Sequence, residues 1–247
     1  MLTGGAEQTD FPRRAAIYDR SAATQRRIAE WLAEWIEPAI PSHAGLWELG
    51  AGTGFFTREL AARGYHVLAT DIAPEMVAHG RRICPAADWA IHDGKRMPKS
   101  ACDRLFSSSL LQWMKNPREA LRVFYDALRP GGRMLHGFFV EPSLCELGHF
   151  SDAGTLALFR RTEAEWLEAF RAAGFEILRS EARTERETFP SALVFLRNLH
   201  GVGPLAERRR VSVSVLRRFL REYEEKFACD GGVFATWRML RVEAARP

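Results

Sequence analysis

The sequence predicts an α/β protein built on a mostly parallel sheet with helices on both faces. Strand-like and helix-like segments alternate along residues 45–140, and this rhythm is typical of a parallel sheet whose crossovers are helical. Apolar residues make up 47% of the 247 residues and charged residues 27%. This is the balance of a globular chain that can bury a full core.

The middle of the chain supplies the predicted sheet. Residues 45–50 form a short apolar run that ends in glycines, and further strands are expected at 65–71, 89–92, 102–107 and 133–140. Helices are expected at 55–63, 74–83 and 117–128. Pro74 lies in the first turn of the second helix, and Pro130-Gly131-Gly132 ends the third.

The two ends of the chain differ from the middle. Residues 1–11 are polar and glycine-rich and should form a flexible tail, whereas apolar spacing over 12–40 predicts N-terminal helices. A helix at 163–173 and a long strand at 175–188 precede a helical stretch, 190–228, and a last strand at 232–242. We interpret 190–228 as an insertion that forms a helical lid near the ligand crevice. The whole chain, 1–247, is predicted to be one domain.

The strongest motif follows the first strand and consists of Glu48-Leu-Gly50-Ala-Gly52-Thr-Gly54. Glycines there permit a tight turn and let the backbone approach a ligand closely. Dinucleotide-binding folds use G-x-G-x-x-G, whereas this loop has the form E-x-G-x-G-x-G. The loop resembles motif I of the class I S-adenosylmethionine-dependent methyltransferases, in which the first acid faces the cofactor's amino group. The resemblance implies a Rossmann-like fold, a seven-stranded sheet and S-adenosylmethionine as cofactor.

Further elements follow in that family's order. Asp71 ends the second strand, where a carboxylate can take both ribose hydroxyls, and His92-Asp93-Gly94 follows the third strand, where the family binds adenine. Taken singly, Glu48 could be a salt-bridged acid, Asp71 a helix cap and Asp93 a turn former. Taken together, the resemblance implies cofactor binding by Tyr18, Gln25, Glu48, Gly50, Gly52, Gly54, Asp71, Ile72, Met76, Asp93, Gly94 and Ser108.

A narrower resemblance rests on segments outside the glycine loop. The stretch from Ser107 through Leu111-Gln112-Trp113 matches the S-x-x-x-L-Q-W segment of the malonyl-acyl-carrier protein O-methyltransferases of biotin synthesis. Three other segments resemble that family: Tyr18-Asp19 with Ala22 and Gln25, Ser143-Leu-x-Glu-Leu147, and residues 196–203, where His200 replaces the more common Lys. The resemblance runs from residue 17 to about 240. It implies methylation of the free carboxylate of malonyl-acyl-carrier protein, or of a malonyl thioester, to its methyl ester.

Such an acceptor needs no general base, because a carboxylate with a pKa of about 4 is already ionised near neutral pH. We expect instead a cation that holds the carboxylate, and Arg197 is the candidate, with a plain surface arginine as the alternative. Trp113 is assigned to the pocket or, alternatively, to the core. The predicted substrate-binding residues are Gln112, Trp113, Ser143 and Arg197.

Basic residues in the insertion suggest a protein partner. Arg208-Arg-Arg210 precedes a helix on which Arg217, Arg218 and Arg221 lie opposite an apolar face made of Leu216, Phe219, Leu220, Tyr223 and Phe227. These arginines could steer an acidic acyl-carrier protein, or form a solvated face tempered by neighbouring glutamates.

Composition indicates no other partner. The net charge of +4 is too mild to indicate nucleic acid, and no targeting segment or membrane span is visible. The four cysteines form no CxxC pair, which favours a cytoplasmic protein without a metal site.

Three rival interpretations stay open. The protein could methylate a small free acid, or an aromatic or quinone-like acceptor with His136 or His149 as base. It could also be a non-catalytic assembly factor that binds the cofactor or a partner chain.

Overall fold

The computed structural model describes residues 22–37, 45–150, 161–201 and 212–247. The predicted tail at 1–11, Tyr18 and the arginines at 208–210 lie outside these residues. No helix among the described residues is both long enough and apolar enough to cross a membrane.

One mixed sheet organises the described chain. Its strands are β1 (Leu46–Leu49), β2 (Leu68–Asp71), β3 (Asp88–Ile91), β4 (Cys102–Ser108), β5 (Leu128–Val140), β6 (Glu176–Phe189), β7 (Ala228–Cys229) and β8 (Gly232–Ala245). The order is β3-β2-β1-β4-β5-β8-β6, and the two-residue β7 pairs with β8. The first five strands are parallel, whereas β8 runs antiparallel between β5 and β6. The predicted fold is therefore confirmed, with β7 as an added short strand.

Seven α-helices connect or cover the strands. They are α1 (Ala23–Ala33), α2 (Phe55–Ala62), α3 (Pro74–Ile83), α4 (Pro117–Ala127), α5 (Glu163–Ala172), α6 (Ala192–Gly201) and α7 (Val213–Lys226) among the described residues. Their starts follow local signals. Pro74 and Pro117 open α3 and α4, and Thr162 forms a capping box with Glu165 at the start of α5.

The β5 strand starts earlier than predicted. Leu128 already pairs with Cys102, and the register then shifts so that Arg104 pairs with Arg133. Pro130-Gly131-Gly132 therefore forms a bulge within the strand instead of a separate turn before it.

A group of aromatic and ionic contacts around Arg241, here called the clamp, holds α1 on the sheet. The Arg241 guanidinium on β8 lies 4.3 Å and 4.2 Å from the ring centroids of Trp31 and Trp35. Its nitrogens also pair with Glu181 on β6 at 2.6 Å and with Glu34 at 3.0 Å. Because α1 is held in this way, its N-terminal turn has a fixed position relative to the strand ends.

The insertion packs on one end of the sheet. Phe195 and Leu199 of α6 and Tyr223 of α7 are fully buried in a cluster with Phe139 of β5. Phe219, Leu220 and Phe227 pack against this cluster as predicted. Leu216 lies about one turn before them on α7 and is 37% exposed.

Candidate active site

A cleft opens at the carboxyl ends of β1, β2 and β4. In an open α/β sheet this edge is where ligands bind. The cleft brings together eight of the predicted site residues: Gln25, Glu48, Gly50, Gly52, Asp71, Met76, Ser108 and Trp113.

The three glycines of the loop have different physical roles. Gly50 and Gly52 line the cleft with φ of +63° and +56°, a left-handed conformation that favours glycine. A Cβ on Gly50 would lie 2.8 Å from Leu110 Cδ1, whereas a Cβ on Gly52 would meet nothing within 4 Å and would point into open space. Gly54 lies outside the cleft lining, and a Cβ there would press on the Trp89 ring at 3.1 Å. Gly54, whose φ is +86°, therefore serves both the turn and the packing against Trp89.

Glu48 is almost completely buried at the base of the cleft, with 1% of its surface exposed. The Thr57 hydroxyl donates a 2.7 Å hydrogen bond to its carboxylate. Burial raises the pKa of Glu48 to about 8, because removing water disfavours the charged form. The nearby Asp71 raises it further, while the Thr57 hydrogen bond and Arg58 oppose the shift.

Asp71 has two roles at the end of β2. One carboxylate oxygen accepts the Gly52 N–H at 2.9 Å, and the other accepts the Ala73 N–H, also at 2.9 Å. Burial is the main reason that its pKa is raised. Asp71 thus fixes the glycine loop and the start of α3 while it also lines the cleft.

The cleft fits a ligand with the polarity of S-adenosylmethionine. Two carboxylates lie at one end, and the Thr53 hydroxyl is buried without a hydrogen-bond partner among the described residues. Ile72 and Ile91 follow or end neighbouring strands and are 67% and 59% exposed, which provides apolar surface for a flat heterocycle.

Several predicted residues lie outside the cleft lining. Asp93 accepts the Lys95 N–H at 3.0 Å and caps a short 3₁₀ turn that contains Gly94. The Ser143 hydroxyl accepts the Arg238 N–H at 2.8 Å and donates to the Arg238 carbonyl at 2.9 Å. These side chains therefore have structural partners of their own.

Arg197 does not lie where the sequence suggested. Ala192, Phe195 and Leu199 form the buried face of α6, and Arg197 is exposed. A residue two positions after Phe195 projects to the other side of a helix with 3.6 residues per turn. Arg197 also lies outside the cleft lining, so the expected carboxylate contact is not formed in this arrangement.

Sequence reasoning missed two residues that line the cleft. Ser109 and Leu110 line it directly after β4, together with Trp113, which is 41% exposed rather than part of the core. Gln112 Nε2 donates to the Ser109 carbonyl at 2.8 Å, and Trp113 Nε1 donates to the same oxygen at 3.2 Å. The L-Q-W motif thus holds Ser109, although Gln112 itself lies outside the lining.

Neither histidine considered as a base lies in the cleft lining. His136 is fully buried, contacts the Ser107 hydroxyl through Nδ1 and stacks on Phe124. Burial lowers the pKa of His136 to about 3, so the ring is neutral. His149 is exposed beside Phe227. No cluster of potential metal ligands exists among the described residues.

Known proteins identify the class. Residues 47–136 match the family described as methyltransferase domain. A malonyl-acyl-carrier protein O-methyltransferase of Methylococcus capsulatus is 33% identical over 207 residues, covering 78% of this chain and 74% of that protein. The biotin biosynthesis bifunctional protein BioHC of Cellvibrio japonicus is 39% identical over 140 residues, which are 56% of this chain but 28% of that longer protein.

Solved structures agree on the fold. An S-adenosylmethionine-dependent methyltransferase from Mesorhizobium loti superposes with a TM-score of 0.56 at 19% identity, covering 88% of this chain and 98% of that one. The chain belongs to the class I S-adenosylmethionine-dependent methyltransferases. Its cofactor is S-adenosylmethionine.

Proposed function

We propose that this methyltransferase converts the free carboxylate of malonyl-acyl-carrier protein, or of a malonyl thioester, to its methyl ester in biotin precursor synthesis. The observation that carries the proposal is the chemistry of the cleft. Among the described residues that line it, the ionisable side chains are those of Glu48 and Asp71. This described lining contains no histidine, lysine, tyrosine or cysteine. The relatives named for this reaction support the choice of acceptor.

An acceptor that is already an anion suits such a cleft. Glu48 and Asp71 are engaged by Thr57, Gly52 and Ala73, and both lie where the cofactor's amino group and ribose are expected. A hydroxyl or amine acceptor would require a base to take its proton, whereas a carboxylate has none to lose near neutral pH.

When bound, S-adenosylmethionine would supply an electrophilic methyl group on a positively charged sulfur. A carboxylate acceptor would take this methyl group with the C–S bonding pair left on sulfur, so the chain would need to move no proton. The chain's contribution is to align the two reactants and to exclude water from the oppositely charged pair. Gln25, Phe55 and Trp113 are positioned around the cleft for that purpose.

An acidic carrier protein is the proposed partner. Arg217, Arg218 and Arg221 are exposed on α7, and Arg197 is exposed on the neighbouring α6. Arg221 lies 3.9 Å from Glu225, which balances part of its charge, and the remaining positive charge would raise the association rate of a negatively charged domain. In this proposal Arg197 contributes to carrier docking, which agrees with its exposure.

Mass spectrometry of malonyl-acyl-carrier protein incubated with the enzyme and S-adenosylmethionine tests the proposal. We expect one added methyl group that leaves the carrier protein together with the acyl group when hydroxylamine cleaves the thioester. Acetyl-acyl-carrier protein, which lacks the free carboxylate, is the matched control and should gain nothing. Methylation of free dicarboxylic acids but not of the thioester would favour the small-acid alternative. Cofactor binding without methylation of any carboxylate would favour the non-catalytic alternative.

A further inference from the structure

Ser109 has an unfavourable backbone conformation at the edge of the cleft. Its φ is +61°, and the other non-glycine residues with positive φ in the described chain are Ser100 and Leu144. L-residues rarely adopt this left-handed conformation, which costs stability wherever it persists. Such strain is retained where the surrounding structure enforces it, often at a ligand site.

Three hydrogen bonds enforce the conformation of Ser109. Its N–H donates to the Gly137 carbonyl on β5 at 2.7 Å. Its carbonyl accepts both the Gln112 amide and the Trp113 indole N–H. The backbone of Ser109 is therefore fully engaged, and its side chain remains as the group that can serve a ligand.

The Ser109 hydroxyl has no hydrogen-bond partner among the described residues, although its oxygen is buried. A buried hydroxyl without a partner is costly, so one is expected to be supplied by water or a ligand. Gln112 Oε1 is also buried and unpartnered. Because its Nε2 is fixed on the Ser109 carbonyl, this oxygen can accept an N–H but would repel a carboxylate.

We propose that Ser109 forms the anion subsite of the acceptor, with its hydroxyl donating a hydrogen bond to the substrate carboxylate. This inference rests on the carboxylate acceptor proposed above. Ser109 lines the same cleft as Ser108, Leu110 and Trp113. In this proposal its hydroxyl serves the acceptor, whereas Ser108 serves the cofactor.

The charge balance of the reaction favours a neutral donor over a fixed cation. The carboxylate and the sulfonium are oppositely charged before the reaction, and both charges disappear as the methyl group moves. A guanidinium on the carboxylate would stabilise the reactants more than the transition state and would slow the step. A hydroxyl orients the oxygen with less of this penalty, which agrees with the position of Arg197 outside the cleft lining.

Ser109→Gly separates the proposed role from a structural one. Glycine removes the hydroxyl but relaxes the left-handed backbone, so the variant should be more thermostable than the wild type. Its kcat/KM for a small malonyl thioester should fall roughly 10- to 100-fold, the scale of a hydrogen bond to a charged group. Cofactor affinity, measured by calorimetry, should change by less than about twofold, since in this proposal the side chain serves the acceptor.

Ser100→Gly is the matched control, because Ser100 has a φ of +49° but is exposed and outside the cleft lining. It should gain thermostability without loss of activity. As a second readout, binding of malonyl thioester and of its methyl ester is compared in the presence of S-adenosylhomocysteine. The wild type should prefer the anion, and Ser109→Gly should lose this preference.

Two results would contradict the role of Ser109, and a third would contradict the proposed function. Normal kcat/KM in Ser109→Gly, or equal weakening of malonyl and methyl malonyl thioester binding, would remove Ser109 as the anion subsite. Absence of turnover on malonyl substrates by the wild type would instead reject the proposed function itself.

Discussion

Gly52 and Gly54 show how residues of one motif serve different purposes. Gly54 makes room for Trp89, whereas the missing Cβ of Gly52 leaves open the part of the cleft beside Asp71. The motif shows glycine at both positions and does not distinguish the two requirements. Substitution can distinguish them, because an added side chain at Gly54 would contact Trp89, whereas one at Gly52 would enter the space open to a ligand.

Gly52→Ala should weaken S-adenosylmethionine binding by at least about tenfold, because the methyl group enters the cleft and the loop must shift. Gly131→Ala is the matched control, since Gly131 also has a positive φ, +77°, and nothing within 4 Å of its Cβ position. Both variants should lose about 1–2 kcal/mol of unfolding free energy from the left-handed conformation. Calorimetric affinity that falls equally in both, or in neither, would disprove this role of Gly52.

The raised pKa of Glu48 makes the stability of the ligand-free protein depend on pH. With a folded-state pKa of about 8 against an ordinary value of 4.5, the folded state of Glu48 keeps a proton between these pH values that the unfolded state has lost. Stability contributed by this group is therefore lost as pH rises towards 8. The lowered pKa of His136 makes stability fall as the pH drops below about 6.5, which is the opposite direction and a different pH range.

Between pH 6.5 and 8 we therefore expect the unfolding free energy to fall by roughly 2 kcal/mol in ligand-free wild type. Glu48→Gln should remove most of this slope, while Glu176→Gln, at an exposed position on β6, should keep it. Denaturant titrations across this range provide the measurement. Parallel slopes in all three proteins would show that Glu48 ionises normally.

At the scale of elements, the sequence predicts well what local signals determine. The glycine loop after β1 and Asp71 at the end of β2 follow from strand ends and glycine spacing, and Pro74 and Pro117 set two helix starts. Ser109 could not be found in this way. Its conformation results from β4–β5 pairing and from side chains three and four residues later.

The orientation of α6 could not be predicted either. Its sequence, Ala192–Gly201, has Leu193, Val194 and Leu196 beside the buried Phe195 and Leu199, so apolar residues occur on every side. Periodicity alone therefore does not define which face of α6 points inward. The direction in which Arg197 points is set by the packing of α6 against α7 and the sheet.

The basic surface of the insertion can be tested by charge reversal. Changing Arg217, Arg218 and Arg221 to Glu should raise KM for malonyl-acyl-carrier protein at least about tenfold and reverse its salt dependence, because long-range attraction becomes a repulsion that salt screens. KM for a small malonyl thioester should stay normal. Reversal of the exposed Arg82, Arg118 and Arg171, outside the insertion, is the charge-matched control. Equal effects of both triple variants would show that the net charge of the protein, and not the surface of α7, sets KM for the carrier protein.

Arg197→Ala distinguishes docking from carboxylate binding. The exposed position on α6 predicts a loss in kcat/KM with the carrier-bound substrate and near-normal turnover of the small thioester. Direct contact with the carboxylate would instead cost several kcal/mol with both substrates, as expected when one partner of a buried charge pair is removed. Comparison of the two substrates with one variant decides between these roles.

At the scale of the whole molecule, α1 and the insertion helices α6 and α7 lie near the carboxyl edge of the sheet. The clamp around Arg241 holds α1 so that Gln25 reaches the cleft, and α6 and α7 pack beside the end of β5. In the proposed function, residues at the ends of β1 and β2 bind the cofactor, and the segment after β4 binds the acceptor. The two reactants would then meet where β1 and β4 lie side by side.

The central claim is that the methyl group moves to an ionised carboxylate without a protein base. The most direct test is the single-turnover rate on the malonyl thioester, with cofactor and substrate saturating at each pH. Between about pH 6 and about pH 8 the rate should be constant, because the acceptor, with a pKa of about 4, is ionised throughout. A rate that falls tenfold for each pH unit below a pKa near 7 would show that a proton must be removed, and would contradict the account.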